Sequence, residues 1–148
     1  MFVRQMYVSE IDQVYELALR SLDEDYVRDI FFFFISSWPA GQLVAVNEIG
    51  DVIGFLSGAR LTQEKVAVAL FAVNPRYRRA GVGSKLMEEF GIRAMMDGKR
   101  YIQLEVKDSN EAMFFYEKIG FVPIELLSNF YSDGASAVRM MRSVRGDA

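Results

Sequence analysis

The sequence predicts a mixed α/β domain, and three observations lead there. Its middle, Val66 to Val106, reads as strand, loop, helix and strand in succession. Strand-like and helical segments alternate through the remainder, giving about seven strands and about four helices in all. The chain's 148 residues are 51% hydrophobic and carry no long Gly/Ser/Pro tract, so one undivided core spanning residues 1–148 is expected.

Met1 to Tyr7 reads as the first strand, and Ser9 followed by Asp12 three residues later resembles a capping box, with Asp where Glu is favoured. A helix to about Ser21 should follow. A second helix is expected from about Asp25 to Ser37, ended by Pro39 and Gly41, with the Phe31 to Phe34 run read mainly as core and otherwise as a groove wall. Gln42 to Asn47 and Val52 to Leu61 form a hairpin pattern around Glu48-Ile49-Gly50-Asp51. Lys65 to Val73 is apolar from Val66 onward, as expected of a central strand covered on both faces. Val82, Leu86, Phe90 and Ala94 then recur every four residues, which puts one apolar stripe on a helix from about Gly81 to Asp97, closed by Gly98. Tyr101 to Val106 is the next strand, Asn110 to Ile119 a helix with Gly120 after it, and Phe121 to about Asn129 another strand. Asp133-Gly134 turns into the last strand, Ala135 to Arg142.

The sequence contains no cysteine and no histidine. Ser-His-Asp and Cys-His catalysis, Cys/His zinc sites, disulfides and acyl-cysteine intermediates are therefore excluded, and no metal site is expected. Chemistry must fall to carboxylates, tyrosines, backbone dipoles or a cofactor. A net charge of −3 supplies no general basic footprint, so nucleic acid is not an expected partner. Arg4, Glu10 and Asp12 interrupt what would have to be the apolar core of a signal peptide, and the longest apolar run, Val66 to Val73, is far below the ~18 residues of a membrane span. A cytoplasmic protein without membrane contacts is expected.

The central strand empties into Asn74-Pro75-Arg76-Tyr77-Arg78-Arg79-Ala80-Gly81-Val82-Gly83-Ser84, just before the long helix. Glycines that admit close backbone approach, a helix N-terminus and three arginines outline an anion site suited to a diphosphate; a charged surface turn is the alternative. The dinucleotide fingerprint fails because Leu86 stands where its third glycine belongs, and the Walker loop fails because the order is Gly83-Ser84-Lys85.

Arg-x-x-Gly-x-Gly at Arg78 to Gly83 resembles the pyrophosphate loop of the GNAT superfamily of N-acetyltransferases. Downstream, Leu104-Glu105-Val106, Ser109-Asn110, Ala112, Tyr116 and Ile119-Gly120-Phe121 match that family's strand-helix-strand pattern. Within it, Leu-Glu-Val and the Asn129-Phe130-Tyr131-Ser132-Asp133-Gly134 turn are similar to RimI-type protein N-terminal acetyltransferases, as is Leu22-Asp23-Glu24-Asp25-Tyr26. The chain departs from many of them in following the turn with Ala135-Ser136-Ala137, and in carrying Ala67 where some have a histidine. The resemblance implies a GNAT fold, with a central, mostly antiparallel twisted sheet splayed at its central strands, and an acetyl-CoA donor contacted by Leu70, Phe71, Ala72, Val73, Arg78, Arg79, Ala80, Gly81, Val82, Gly83, Ser84, Asn110 and Tyr116. It further implies Glu105 as first candidate for general base, Glu24 as second, Tyr116 as the acid beside the leaving sulfur, and Glu24, Tyr26 and Tyr131 beside the acceptor.

The residue chemistry sets limits on these roles. A carboxylate on an otherwise apolar strand would be desolvated, which suits Glu105 to a base; a Glu facing solvent or paired with Lys107 or Arg100 is the alternative, and Glu24 could simply belong to an acidic surface run. With a thiol near pKa 8.5 and tyrosine near 10, full proton transfer from Tyr116 would be uphill by roughly 2 kcal/mol, so a strong hydrogen bond is the more plausible donation. Carbonyl polarisation should come from a backbone N–H within Leu70 to Val73, where no side-chain donor is evident. An α-amino group, with a pKa of about 7.7–8.0 against about 10.4 for lysine, needs the least help. The expected acceptor is therefore a protein or peptide N-terminus, with small amines such as polyamines and a CoA-binding regulatory module as the alternatives. A monomer or homodimer fits either case.

Overall fold

The structure, a computed structural model, describes residues 1–22, 25–109 and 111–145. In chain order its principal elements are β1 (Phe2–Gln5), α1 (Ile11–Ser21), α2 (Asp29–Ser37), β2 (Gln42–Val46), β3 (Val52–Arg60), β4 (Lys65–Val73), α3 (Val82–Met96), β5 (Tyr101–Lys107), α4 (Ala112–Lys118), β6 (Val122–Leu127) and β7 (Ala137–Ser143), with short 3-10 turns at Val8–Glu10, Pro39–Gly41 and Pro75–Tyr77. The strands form one sheet in the order β1-β2-β3-β4-β5-β7-β6. Only β4 and β5 run parallel, joined by the crossover helix α3; the other neighbours are antiparallel. The last strand slots between β5 and β6, so the final hairpin leaves β6 as the edge.

Helices cover both faces. The predicted stripe Val82, Leu86, Phe90 and Ala94 is buried against Leu43, Leu56, Val66, Val68, Ile102 and Leu104. On the opposite face, Ile11, Val14, Leu17 and Ala18 of α1 join Phe31 and Phe34 of α2 over Val44, Phe55, Leu70 and Ala72. Each large side chain so buried stabilises the fold by about 1.5–3 kcal/mol relative to exposure.

Three expectations need correction. Only half of the phenylalanine run is core, because a helix turns 100° per residue: Phe31 and Phe34 are buried, whereas Phe32 and Phe33 face outward. The first helix is not opened by Ser9 and Asp12. Instead Glu10, itself buried, accepts the backbone N–H of Tyr7 at 2.8 Å and a two-pronged ion pair from Arg4 at 2.8 and 2.9 Å. Thirdly, β4 is not covered throughout. Ser57 of β3 faces Leu70 while Gly58 faces Val68, so Ala69 is an extra, exposed residue. This bulge switches the strand's facing residues, sending Val66 and Val68 to the α3 side but Leu70 and Ala72 to the α1/α2 side.

Candidate active site

The site originates in a failure of pairing. β4 and β5 are in register only at Lys65↔Tyr101, Val66↔Ile102 and Ala67↔Gln103, and beyond these the strands part. Alternate N–H groups on a strand point to opposite neighbours, so half of those from Leu70 to Val73 face the opening rather than β3. A cavity of about 1230 Å³ occupies the gap and runs from α3 past α4 to the segment after α1.

At one end lies the Arg/Gly loop. Gly81 takes φ +81° at the N-cap of α3, and its missing side chain leaves the first N–H groups of the helix without a side-chain cap. Nothing in the protein lies within 4 Å of where a Gly81 Cβ would stand. Arg79, also left-handed at φ 67°, is one of two such non-glycine residues among those described, and with Arg78 it is exposed at the cavity rim. Gly83 lets the helix close against α4: a Cβ there would stand 3.3 Å from both Phe115 and Phe71, whose rings stack at 6.1 Å. Helix dipole, free N–H groups and guanidinium charge thus converge on one concave wall, as an anionic diphosphate requires.

Midway along the cavity, Tyr116 of α4 is held by aromatic neighbours, with ring centroids at 5.5 Å from Phe115, 5.8 Å from Phe121 and 6.2 Å from Phe71. The end of α4 is fixed by Phe121 N–H donating to Tyr116 O at 3.0 Å and by Arg142 donating to Ile119 O at 2.8 Å. Burial, assisted by nearby Tyr131, pushes the Tyr116 hydroxyl well above its ordinary value of 10. It is a hydrogen-bond donor throughout the neutral range.

The other end is polar. Glu105 lines the cavity from β5, and its Oε2 accepts from Arg139 Nε at 3.0 Å and from Gln103 Nε2 at 3.1 Å. Of the two readings of Glu105 the ion-paired one holds, because antiparallel pairing sets Arg139 of β7 directly opposite it. Neither Lys107 nor Arg100 is its partner. Lys107 pairs with Asp133 at 2.9 Å and lies 5.3 Å from the Tyr131 ring centroid, which holds the β6–β7 turn against the cavity.

The structure brings Tyr26, Leu70, Phe71, Ala72, Val73, Arg78, Arg79, Gly81, Val82, Gly83, Ser84, Glu105, Tyr116 and Tyr131 into this one cavity. Ala80 is the exception, lining a separate pocket of about 420 Å³ with Met1, Asn47 and Ile49, because the loop turns it away. Glu24 and Asn110 lie outside the described residues. Sequence reasoning missed Ala69, Lys107, Phe115 and Arg139. The bulge and the cross-strand register that place Ala69 and Arg139 are long-range features; Phe115, adjacent to Tyr116 and four residues before Ile119, was accessible from helical spacing alone.

A family model described as an acetyltransferase (GNAT) domain matches residues 35–144. The chain is 30% identical over 133 residues to N-alpha-acetyltransferase 30 of Schizosaccharomyces pombe, covering 87% of this chain and 89% of that one. Among solved structures, Ard1 from Thermoplasma volcanium superposes with a TM-score of 0.91 at 36% identity over 96% of each chain. The ribosomal-protein-S18-alanine N-acetyltransferase from Escherichia coli, at 21% identity, shares the fold with a TM-score of 0.81.

Proposed function

The chain belongs to the GNAT acetyltransferase family and transfers acetyl from acetyl-CoA to amines, and from that premise we propose that its acceptors are the N-terminal α-amino groups of proteins or peptides. The observation that carries this reading is the single continuous cavity, with an anion-binding helix terminus at one end and a carboxylate at the other. The name of the S. pombe relative supports the acceptor class, and the Leu104-Glu105-Val106 strand supports the narrower RimI-type reading.

The residues present fit acetyl-CoA. The Gly81 cradle, open where a side chain would project, accommodates a diphosphate against the N–H groups of Val82 to Ser84, while Arg78 and Arg79 supply charge. The splayed edge of β4 presents backbone donors suited to an extended amide-bearing arm. Bound acetyl-CoA supplies a thioester whose carbonyl is electrophilic and whose sulfur can leave. In this reading an N–H within Leu70 to Val73 donates to the carbonyl oxygen, Tyr116 donates a hydrogen bond to the departing sulfur, and Glu105 accepts the amine's proton directly or through water. Tyr26 and Tyr131 flank the acceptor's entry. Since an α-amine is already substantially neutral near pH 7.5, a paired carboxylate suffices where a lysine acceptor would demand a stronger base.

Incubation with acetyl-CoA and panels of peptides with free N-termini, lysine-only peptides and polyamines, read by mass shift, tests the proposal. Acetylation of free N-termini is expected. Modification of polyamines alone would replace the acceptor class, and tight CoA binding without CoA release on any amine would favour a regulatory module.

A further inference from the structure

We propose that Arg139, a residue outside the cavity wall, is a positioning residue that aims the Glu105 carboxylate at the acceptor amine; this rests on the role given to Glu105 above. Arg139 sits directly across from Glu105 in the β5–β7 register, and its side chain ties three strands together. Nε donates to Glu105 Oε2 at 3.0 Å, and a terminal guanidinium nitrogen donates to Glu125 Oε1 of β6 at 2.9 Å. Gln103, buried two residues before Glu105, adds a third bond, also to Oε2, at 3.1 Å. Both bonds to Glu105 therefore fall on one oxygen, and among the described residues Oε1 accepts none.

That asymmetry is what makes the arrangement functional. Two donors on Oε2 fix the rotation of the carboxyl group and leave Oε1 without a partner among the described residues, on a side chain that lines the cavity. The planar fork of Arg139 is anchored at its far end by Glu125, so it cannot swing with Glu105; a lysine ammonium could not hold both carboxylates in a fixed plane. Among the described residues, the neighbouring cation on β5, Lys107, pairs with Asp133. Arg139 is thus the cation that faces Glu105, and its own pKa is raised chiefly by the hydrogen bond to Glu105.

The test compares Arg139→Met, which keeps bulk but removes both bonds, with Arg139→Lys, which keeps the charge. Three readouts are taken: kcat for a peptide acceptor, KM for acetyl-CoA and thermal unfolding. In Arg139→Met, Glu105 keeps only the Gln103 bond and is free to rotate. In that variant kcat should fall about tenfold or more, with KM for acetyl-CoA unchanged. Arg139→Lys, which keeps the charge without the planar fork, should recover only part of kcat. A folded Arg139→Met with kcat within twofold of the parent overturns the inference, as does an Arg139→Lys enzyme with full kcat should the Met variant not fold. If the parent protein acetylates no N-terminal amine, the acceptor reading falls instead, and the same split of kcat against KM, measured on the amine it does acetylate, still decides whether Arg139 positions Glu105.

Discussion

Replacing Tyr116 by Phe removes one oxygen and nothing else, and the structure fixes the sign of two separate consequences. Tyr116 lines the cavity, its hydroxyl has no hydrogen-bond partner among the described residues, and its ring packs against Phe71, Phe115 and Phe121. Deleting it leaves the packing intact and abandons no protein group, so stability should be unchanged or slightly raised. Catalysis should move the other way. A hydrogen bond to a group developing charge is worth about 1.5–3 kcal/mol, which corresponds to a loss in kcat of about 10- to 150-fold. Because burial pushes this hydroxyl well above 10, proton transfer to a thiolate near 8.5 is more uphill than for an ordinary tyrosine, and the contribution is that of a donor rather than an acid. Accordingly, any alkaline limb in the parent's pH profile should survive in the variant. Steady-state kinetics, calorimetry with CoA and thermal unfolding together give the answer. A kcat within twofold of the parent would refute the placement of the sulfur beside Tyr116, and a matching loss of CoA affinity would make Tyr116 a binding residue only.

The remaining expectations concern the frame around the site. Gly81→Val places a side chain in open space at the cavity mouth but at φ +81°, so calorimetry should show weakened CoA binding, and unfolding a loss of about 1–2 kcal/mol from backbone strain. Gly58→Ala would set a Cβ 2.3 Å from the Phe90 ring and 3.0 Å from Gly41 O; an unfolding free energy lowered by about 1–3 kcal/mol in denaturant titration is expected from overpacking beneath α3. Burial alone would raise the Glu10 pKa, but Arg4 and the Tyr7 N–H outweigh it and hold the carboxyl below its usual 4.5. A depressed carboxylate contributes stability above its unfolded pKa and loses it as pH falls through the folded one, so Glu10→Gln should be less stable at neutral pH and show a shallower decline in urea midpoint below about pH 4.5.

Local signals announced local structure. The four-residue spacing of Val82, Leu86, Phe90 and Ala94 buried as expected because a helix face needs no information from elsewhere in the chain, and the all-apolar Val66 to Val73 run took the middle of the sheet. The loop geometry ahead of α3 was legible for the same reason, since glycine, arginine and a helix start lie in one short stretch. What could not be read depends on register. Whether Glu105 stands alone or meets a cation is decided by which β7 residue lies opposite, and an Arg139 displaced by one position would point to the other face. The bulge at Ala69 is equally silent in an uninterrupted apolar strand, because the extra residue exists only relative to Ser57 and Gly58.

That same bulge connects the fold to the chemistry. Without an extra residue, β4 would keep one alternation along its length. With it, Val68 packs beneath α3 while Leu70 and Ala72 pack beneath α1 and α2, in the stretch where β5 has already turned away. The backbone donors of β4 are thereby exposed in a gap whose two walls differ in character: aromatic around Tyr116, charged around Glu105. A chain lacking histidine cannot place donor and acceptor on one imidazole, so it must separate them in space, and the splay provides that separation. Closing it should therefore abolish transfer even with every side chain intact. Ala69 deletion is the direct test, with acetylation lost while cooperative unfolding persists; an active deletion variant would show that the gap owes its shape to β5 alone.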